Sequence, residues 1–159
     1  MLAKIKYLDF LQRRKIVHQI LLVNGKFSSK SKMMNAQQLN QIESHGIEVA
    51  CHTVDHPILS LLNKYQQHEQ IIDGKLQLEV MLNKTINGFA YPNGKWKKDY
   101  NEVSLAILKQ AKFDYAVTTK QGISTPHTDF LQLNRYTPWN KDILKFHTRL
   151  LINTVTNHG

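Results

Sequence analysis

Leu2, Ile5, Leu8 and Leu11 recur at helical spacing, which predicts an amphipathic helix over residues 2–13. Ile16-Val17-His18-Gln19-Ile20-Leu21-Leu22-Val23 breaks that period. It is β-branched and nearly continuously apolar, as expected of a strand buried on both faces, and Asn24-Gly25 should end it. After a polar loop, Asn35 with Gln38 three residues on gives a capping-box signal for a helix to about His45, closed by Gly46. Ile47–Cys51 reads as a second short strand.

A long helical stretch follows from about Lys64 to Asn83, with Asp73-Gly74 as an expected interruption. Gly88-Phe89-Ala90-Tyr91 is a third strand, stopped by the turn residues Pro92-Asn93-Gly94. Residues 99–112 form another amphipathic helix, Tyr115–Thr118 a fourth strand and Leu131–Tyr136 a fifth, and a last helix spans about Lys141 to Thr154. Strands alternating with helices imply an α/β fold with a parallel sheet or barrel, here one domain over residues 1–159.

Composition changes this picture little. Hydrophobic residues are 42% and charged ones 21% of the chain, which is globular rather than disordered. There is no apolar run of about 18 residues, so no membrane-spanning segment is expected. Met1 to Phe10 lack the basic, apolar and small-residue sequence of a secretory signal. The net charge of +9 favours anionic partners. Its lysines and arginines are scattered and no nucleic-acid-binding signature accompanies them, so no nucleic-acid partner is expected. Cys51, the single cysteine, rules out an intramolecular disulfide and reads as a buried inert thiol.

Two constellations carry candidate chemistry. His52 and His56 stand four apart, just past a predicted strand. Eight histidines in 159 residues give about one-third of such a pair by chance, so position matters more than spacing. Side chains at strand C-termini form the active sites of α/β barrels, and two imidazoles in one short turn can share a divalent metal. Thr53 and Pro57 exclude the helical metalloprotease pattern, which needs a glutamate after the first histidine. The second constellation is Tyr91-Pro92-Asn93-Gly94-Lys95-Trp96. Its turn can present backbone N–H groups to an oxyanion, and Tyr91 and Trp96 offer flat surfaces for sugar rings.

Together these stretches resemble the polysaccharide deacetylase (NodB-homology) family. Gly46 to Pro57 is similar to its G-x-E-[IV]-x-x-H-[ST]-x-x-H-P stretch, continued by Leu59-Ser60. Phe89 to Gly94 is similar to its strand ending in Y-P-x-G. Phe113 to Thr119, Gly122 and Leu133 to Tyr136 resemble the closing part of the domain. The resemblance runs from about Lys15 to Arg149. It implies a distorted (β/α) barrel that hydrolyses acetyl groups on polysaccharide, a hydrolase of non-peptide carbon–nitrogen bonds in its N-deacetylase form. By the same resemblance His52 and His56 are metal ligands, commonly for zinc, and the Asn93 backbone N–H is an oxyanion donor. Tyr91, Pro92, Gly94 and Trp96 line the substrate site, acetylated polysaccharide is the partner, and the setting is extracellular or the cell envelope.

Three departures qualify it. The T-F-D-D-G motif, which supplies the general-base and metal-binding aspartates, should precede the first helix; Met1 begins inside that helix and Asp9 falls in its body. The expectation is therefore a barrel incomplete at its N-terminus, with the general base absent and the metal weakly held. Ala90 stands where many members have an arginine, and neither His147 nor His158 matches the family's late L-x-H motif. An inactive carbohydrate-binding remnant is the alternative reading, and a basic nucleic-acid-associated protein a further one.

Overall fold

The computed structural model describes residues 5–23, 33–137, 139 and 141–156. Two short strands, β1 (Gly88–Ala90) and β2 (Tyr115–Val117), pair in parallel with Phe89 opposite Ala116. Single parallel bridges extend the sheet on both sides, Cys51 to Phe89 and Leu133 to Val117. Four stretches of chain thus lie side by side, pointing the same way, as the alternation of strand and helix predicts. The outer two are narrower than expected. At 47–51 only Cys51 pairs, donating its N–H to Gly88 O and accepting from Ala90 N–H. Residues 130–132 turn as a 3-10 helix, leaving Leu133 alone in the ladder instead of a strand over 131–136.

The helices are α1 (Phe10–Val23), α2 (Ala36–Ser44), α3 (Lys64–Leu82), α4 (Glu102–Gln110) and α5 (Ile143–Thr156). The Asn35–Gln38 capping box forms as predicted, and Gly46 follows at φ +82°. Matching boxes start α3 at Asn63 with Gln66 and α4 at Asn101 with Ser104. α3 packs on α2 and α4, and the core between helices and sheet includes Leu59, Ile71, Ile86, Phe89, Ile107 and Leu108, all at most 1% exposed.

Three helical expectations are corrected. Residues 16–23 are helical, the end of α1, not a buried strand; Val23 is 85% exposed. Asp9 explains where α1 starts: its carboxylate accepts the Leu11 and Gln12 N–H groups at 3.0 and 3.3 Å. The aspartate is a cap, not a residue of a helix body. From there Leu11, Gln12, Arg13, Arg14 and Lys15 are good helix formers, and extending a helix is easier than nucleating a strand that needs partners on both sides. The expected Asn24-Gly25 break and the loop after it lie outside the described residues, as do Met1–Lys4 and His158.

α3 also runs unbroken through Asp73-Gly74. Glycine is there for space: a Cβ on Gly74 would stand 3.1 Å from both Cys51 Sγ and the Thr53 carbonyl carbon. The helix can therefore lie directly against the end of the Cys51 stretch. α5 shows Ile143, Leu144, Leu151 and Val155 to solvent and turns Phe146 and Asn153 inward. No helix of the described residues is long and apolar enough to cross a membrane.

Candidate active site

His52 follows the bridged Cys51, and its ring folds onto the neighbouring strand end, with Nδ1 2.6 Å from the Ala90 carbonyl oxygen. A carbonyl only accepts, so Nδ1 is the donor, and in the neutral ring this leaves Nε2 as the acceptor. Metal-ligating histidines are commonly fixed in this way. His56 returns to the same place, its ring centroid 4.7 Å from that of His52 and the planes at 75°.

That return requires Thr53 at φ +67° and His56 at φ +53°. Each left-handed non-glycine residue costs about 1–3 kcal/mol. Thr53 Oγ1 offsets part of this by accepting the His56 N–H at 3.1 Å. Burial, and next the neighbouring His52, hold the His56 pKa below the ordinary histidine value, with Arg13 and Lys6 adding to the effect. The neutral imidazole, the form that ligates metals, is thereby favoured.

These two imidazoles suit a divalent ion such as zinc in chemistry, and the neutral His52 ring also in tautomer. Among the described residues, however, no group of three or more His, Cys, Asp or Glu side chains is placed to hold a metal. The pair fits part of a ligand set. Asp55, the nearest acid in sequence, is engaged elsewhere: its Oδ2 accepts from Gln70 Nε2 on α3 at 2.9 Å.

The turn after β1 is fixed from beneath. Asn93 and Gly94 both adopt left-handed backbone, at φ +64° and +74°. A Cβ on Gly94 would approach the Thr119 backbone nitrogen to 2.7 Å, so only glycine fits. The Asn93 carbonyl accepts from Thr119 Oγ1 at 2.7 Å, and Thr119 N–H donates to Gly94 O. The N–H of Asn93 has no backbone acceptor among the described residues. Asp99, fully buried, braces the other end by accepting from Lys95 N–H at 2.9 Å and from the Tyr7 hydroxyl at 3.2 Å.

Tyr91 and Pro92, expected at the substrate surface, are turned into the protein interior. Both are buried; Tyr91 stacks on Tyr100 at 3.8 Å and donates its hydroxyl to Leu131 O at 2.9 Å. An apolar ring completing a strand stacks inward, and its hydroxyl needs the partner it finds there. Trp96 is 39% exposed and tilts against Tyr100 at the rim of a groove of about 660 Å³. The groove is also lined by Gly94, Lys95, Thr119, Lys120, Asp129 and Asn134. Sequence reading missed Thr119, Asp99 and Gln70. Only Gln70 left a trace, as a polar residue beside the inward face of α3 set by Gln67, Ile71 and Gly74.

The stacked tyrosines make the site base-sensitive. Burial pushes Tyr91 well above the usual phenol range, with Tyr100 and Asp129 contributing, and burial and then Asp129 push Tyr100 up to about 12. A folded-state pKa raised above the unfolded value means stability is complete below about pH 10 and falls as pH climbs through the folded values. Urea unfolding at stepped pH should show a flat midpoint at neutral pH and a decline above about 10. Tyr91→Phe should flatten that decline; an equal decline in the variant would exclude Tyr91 as its source.

The sequence profile described as polysaccharide deacetylase matches residues 4–116. YxkH of Bacillus subtilis (strain 168), assigned to the polysaccharide deacetylases, is 27% identical over 111 residues, which cover 70% of this chain and 38% of YxkH. The deacetylase PplD of Streptococcus pyogenes, solved in complex with acetate, superposes with a TM-score of 0.59 at 29% identity. That match covers 72% of this chain and 47% of PplD. BC0361, a polysaccharide deacetylase from Bacillus cereus, shares the fold at 18% identity with a TM-score of 0.57, over 77% of this chain and 42% of its own. The chain spans less than half the length of these relatives.

Proposed function

The chain belongs to the polysaccharide deacetylase family, and from that membership we propose that its strand ends form the acetyl-hydrolysing site of such a domain. The observation that carries the reading is the His52–His56 pair, with His52 locked through Nδ1 onto Ala90 O and its Nε2 left open. His52 and His56 would hold the divalent ion, and imidazole donors suit zinc. When bound, such an ion supplies Lewis acidity toward an acetyl carbonyl and a more acidic water. In this reading Asn93 N–H, on the turn after β1, serves as the oxyanion donor, and Trp96, which lines the groove, meets the sugar chain. Acetylated polysaccharide is the substrate class.

One observation favours a second reading for the 159-residue chain, carbohydrate binding with little turnover. The described residues bring together two metal donors rather than three, and Asp55 is tied to Gln70 and cannot readily serve as general base. General-base catalysis contributes roughly a hundred- to ten-thousand-fold. Incubating the chain with N-acetylglucosamine oligosaccharides and zinc decides between the two. The expected result is measurable oligosaccharide binding, weakened by Trp96→Ala, with little or no acetate released. Robust zinc-dependent acetate release would overturn the second reading and make Asp55 the next residue to replace.

A further inference from the structure

We infer that Gln70 is the positioning residue of the histidine turn, a carboxamide on a rigid helix that sets where His56 stands relative to His52. The inference rests on reading these histidines as the metal pair, although the positioning itself does not require a metal. Two left-handed residues, Thr53 and His56, give the turn a backbone path that it does not hold unaided. Inside the turn only the Thr53 Oγ1 contact to His56 N–H is seen among the described residues. From outside, Gln70 grips Asp55 at two points. Its Oε1 accepts the Asp55 N–H at 2.9 Å, and its Nε2 donates to Asp55 Oδ2 at 2.9 Å.

Asp55 immediately precedes His56, so fixing both the backbone and the side chain of one fixes the Cα of the other. The support is stiff: α3 begins at the Asn63–Gln66 capping box and presses against Cys51 and Thr53 at Gly74, one turn beyond Gln70. Gln70 and Gly74 therefore hold the two ends of the turn from one helix face.

Residue chemistry explains the amide. The grip needs an acceptor toward the Asp55 N–H and a donor toward its carboxylate, and glutamine has both. Glutamate has acceptors only and would face Asp55 with like charge. Gln70→Glu should thus release the turn while keeping size and helix propensity. Pairing it with Asp55→Asn puts the donor on the other partner and should restore the grip.

The test uses the full chain as wild type, Gln70→Glu, and Gln70→Glu with Asp55→Asn. Without metal, the nuclear Overhauser contact between the His52 and His56 rings and hydrogen exchange at the Asp55 amide are read; with cobalt(II), affinity and visible spectrum. In Gln70→Glu the ring contact should weaken. Asp55 exchange should rise about ten-fold, as loss of a charge-assisted hydrogen bond implies. Cobalt affinity should fall by about 10–100-fold, as loss of an outer-shell support does. The paired variant should recover all three. Unchanged ring contact and exchange in Gln70→Glu, or no recovery in the pair, would overturn the inference. If the wild type binds no cobalt, the metal reading fails, and the metal-free measurements still decide the role of Gln70. Should Gln70→Glu lose its cooperative melt, with the pair also unfolded, Gln70 is a stability residue and the inference falls.

Discussion

His52→Ala should lower zinc affinity by more than about 100-fold, beyond the roughly 10–100-fold typical of losing an outer-shell partner. Two structural facts lead to that size. Among the described residues His52 and His56 are the two imidazoles gathered at the strand ends, so on the proposed ligation removing His52 leaves His56 alone. The replacement also deletes the Nδ1–H bond to Ala90 O, which ties the turn to β1. Isothermal titration with zinc on the wild type, His52→Ala, His56→Ala and His45→Ala measures it. His45 donates to Gln41 O at the end of α2 and should behave as wild type. Equal affinity in His52→Ala and wild type would move the metal elsewhere on the chain.

Phe89→Ala should cost about 3–5 kcal/mol, the usual range for deleting a buried aromatic ring. Phe89 is fully buried at the centre of β1, between the bridged Cys51 and the Ala116 of β2. Its ring meets Tyr91 and Phe113 edge-on at 5.2 and 5.4 Å. These contacts add to its buried area and cannot be rebuilt by small side-chain shifts. In a domain with about 5–15 kcal/mol of stability the loss is large, worth roughly 10 °C in melting temperature at this length. The neighbouring Ala90 carbonyl carries His52, so zinc affinity should fall with it. Phe130→Ala, at a ring 66% exposed, should stay within about 0.5 kcal/mol of wild type. A Phe89→Ala variant melting with the wild type would place the core elsewhere.

What sequence made legible were features decided within a few residues. The Asn35–Gln38 box, the Gly88–Ala90 and Tyr115–Val117 strands, the Pro92–Gly94 turn and the closeness of His52 to His56 all depend on local chemistry. What stayed hidden depends on partners distant in sequence. Residues 16–23 are apolar enough for strand or helix, and Asp9 together with helix propagation decides it. Asp73-Gly74 looked like a break because the reason for the glycine, Cys51 and Thr53, lies some 20 residues earlier. Tyr91 could have faced a ligand; Leu131, 40 residues on, holds it inside. The motif around the two histidines carries the family resemblance in the sequence alone. The grip of Gln70 on Asp55 could be found only in three dimensions.

Cys51 supplies the molecule with its own clock. Its sulfur is fully buried against Ile71 O and the bare face of Gly74, and burial raises the thiol above its ordinary pKa. A thiol reagent therefore meets a protonated, inaccessible sulfur as long as the sheet edge is closed. It reacts only when α3 lifts from the residue directly before His52. Because the chain has no other cysteine, single-site labelling at reagent concentrations high enough to outpace reclosing times that lifting, without any engineered probe.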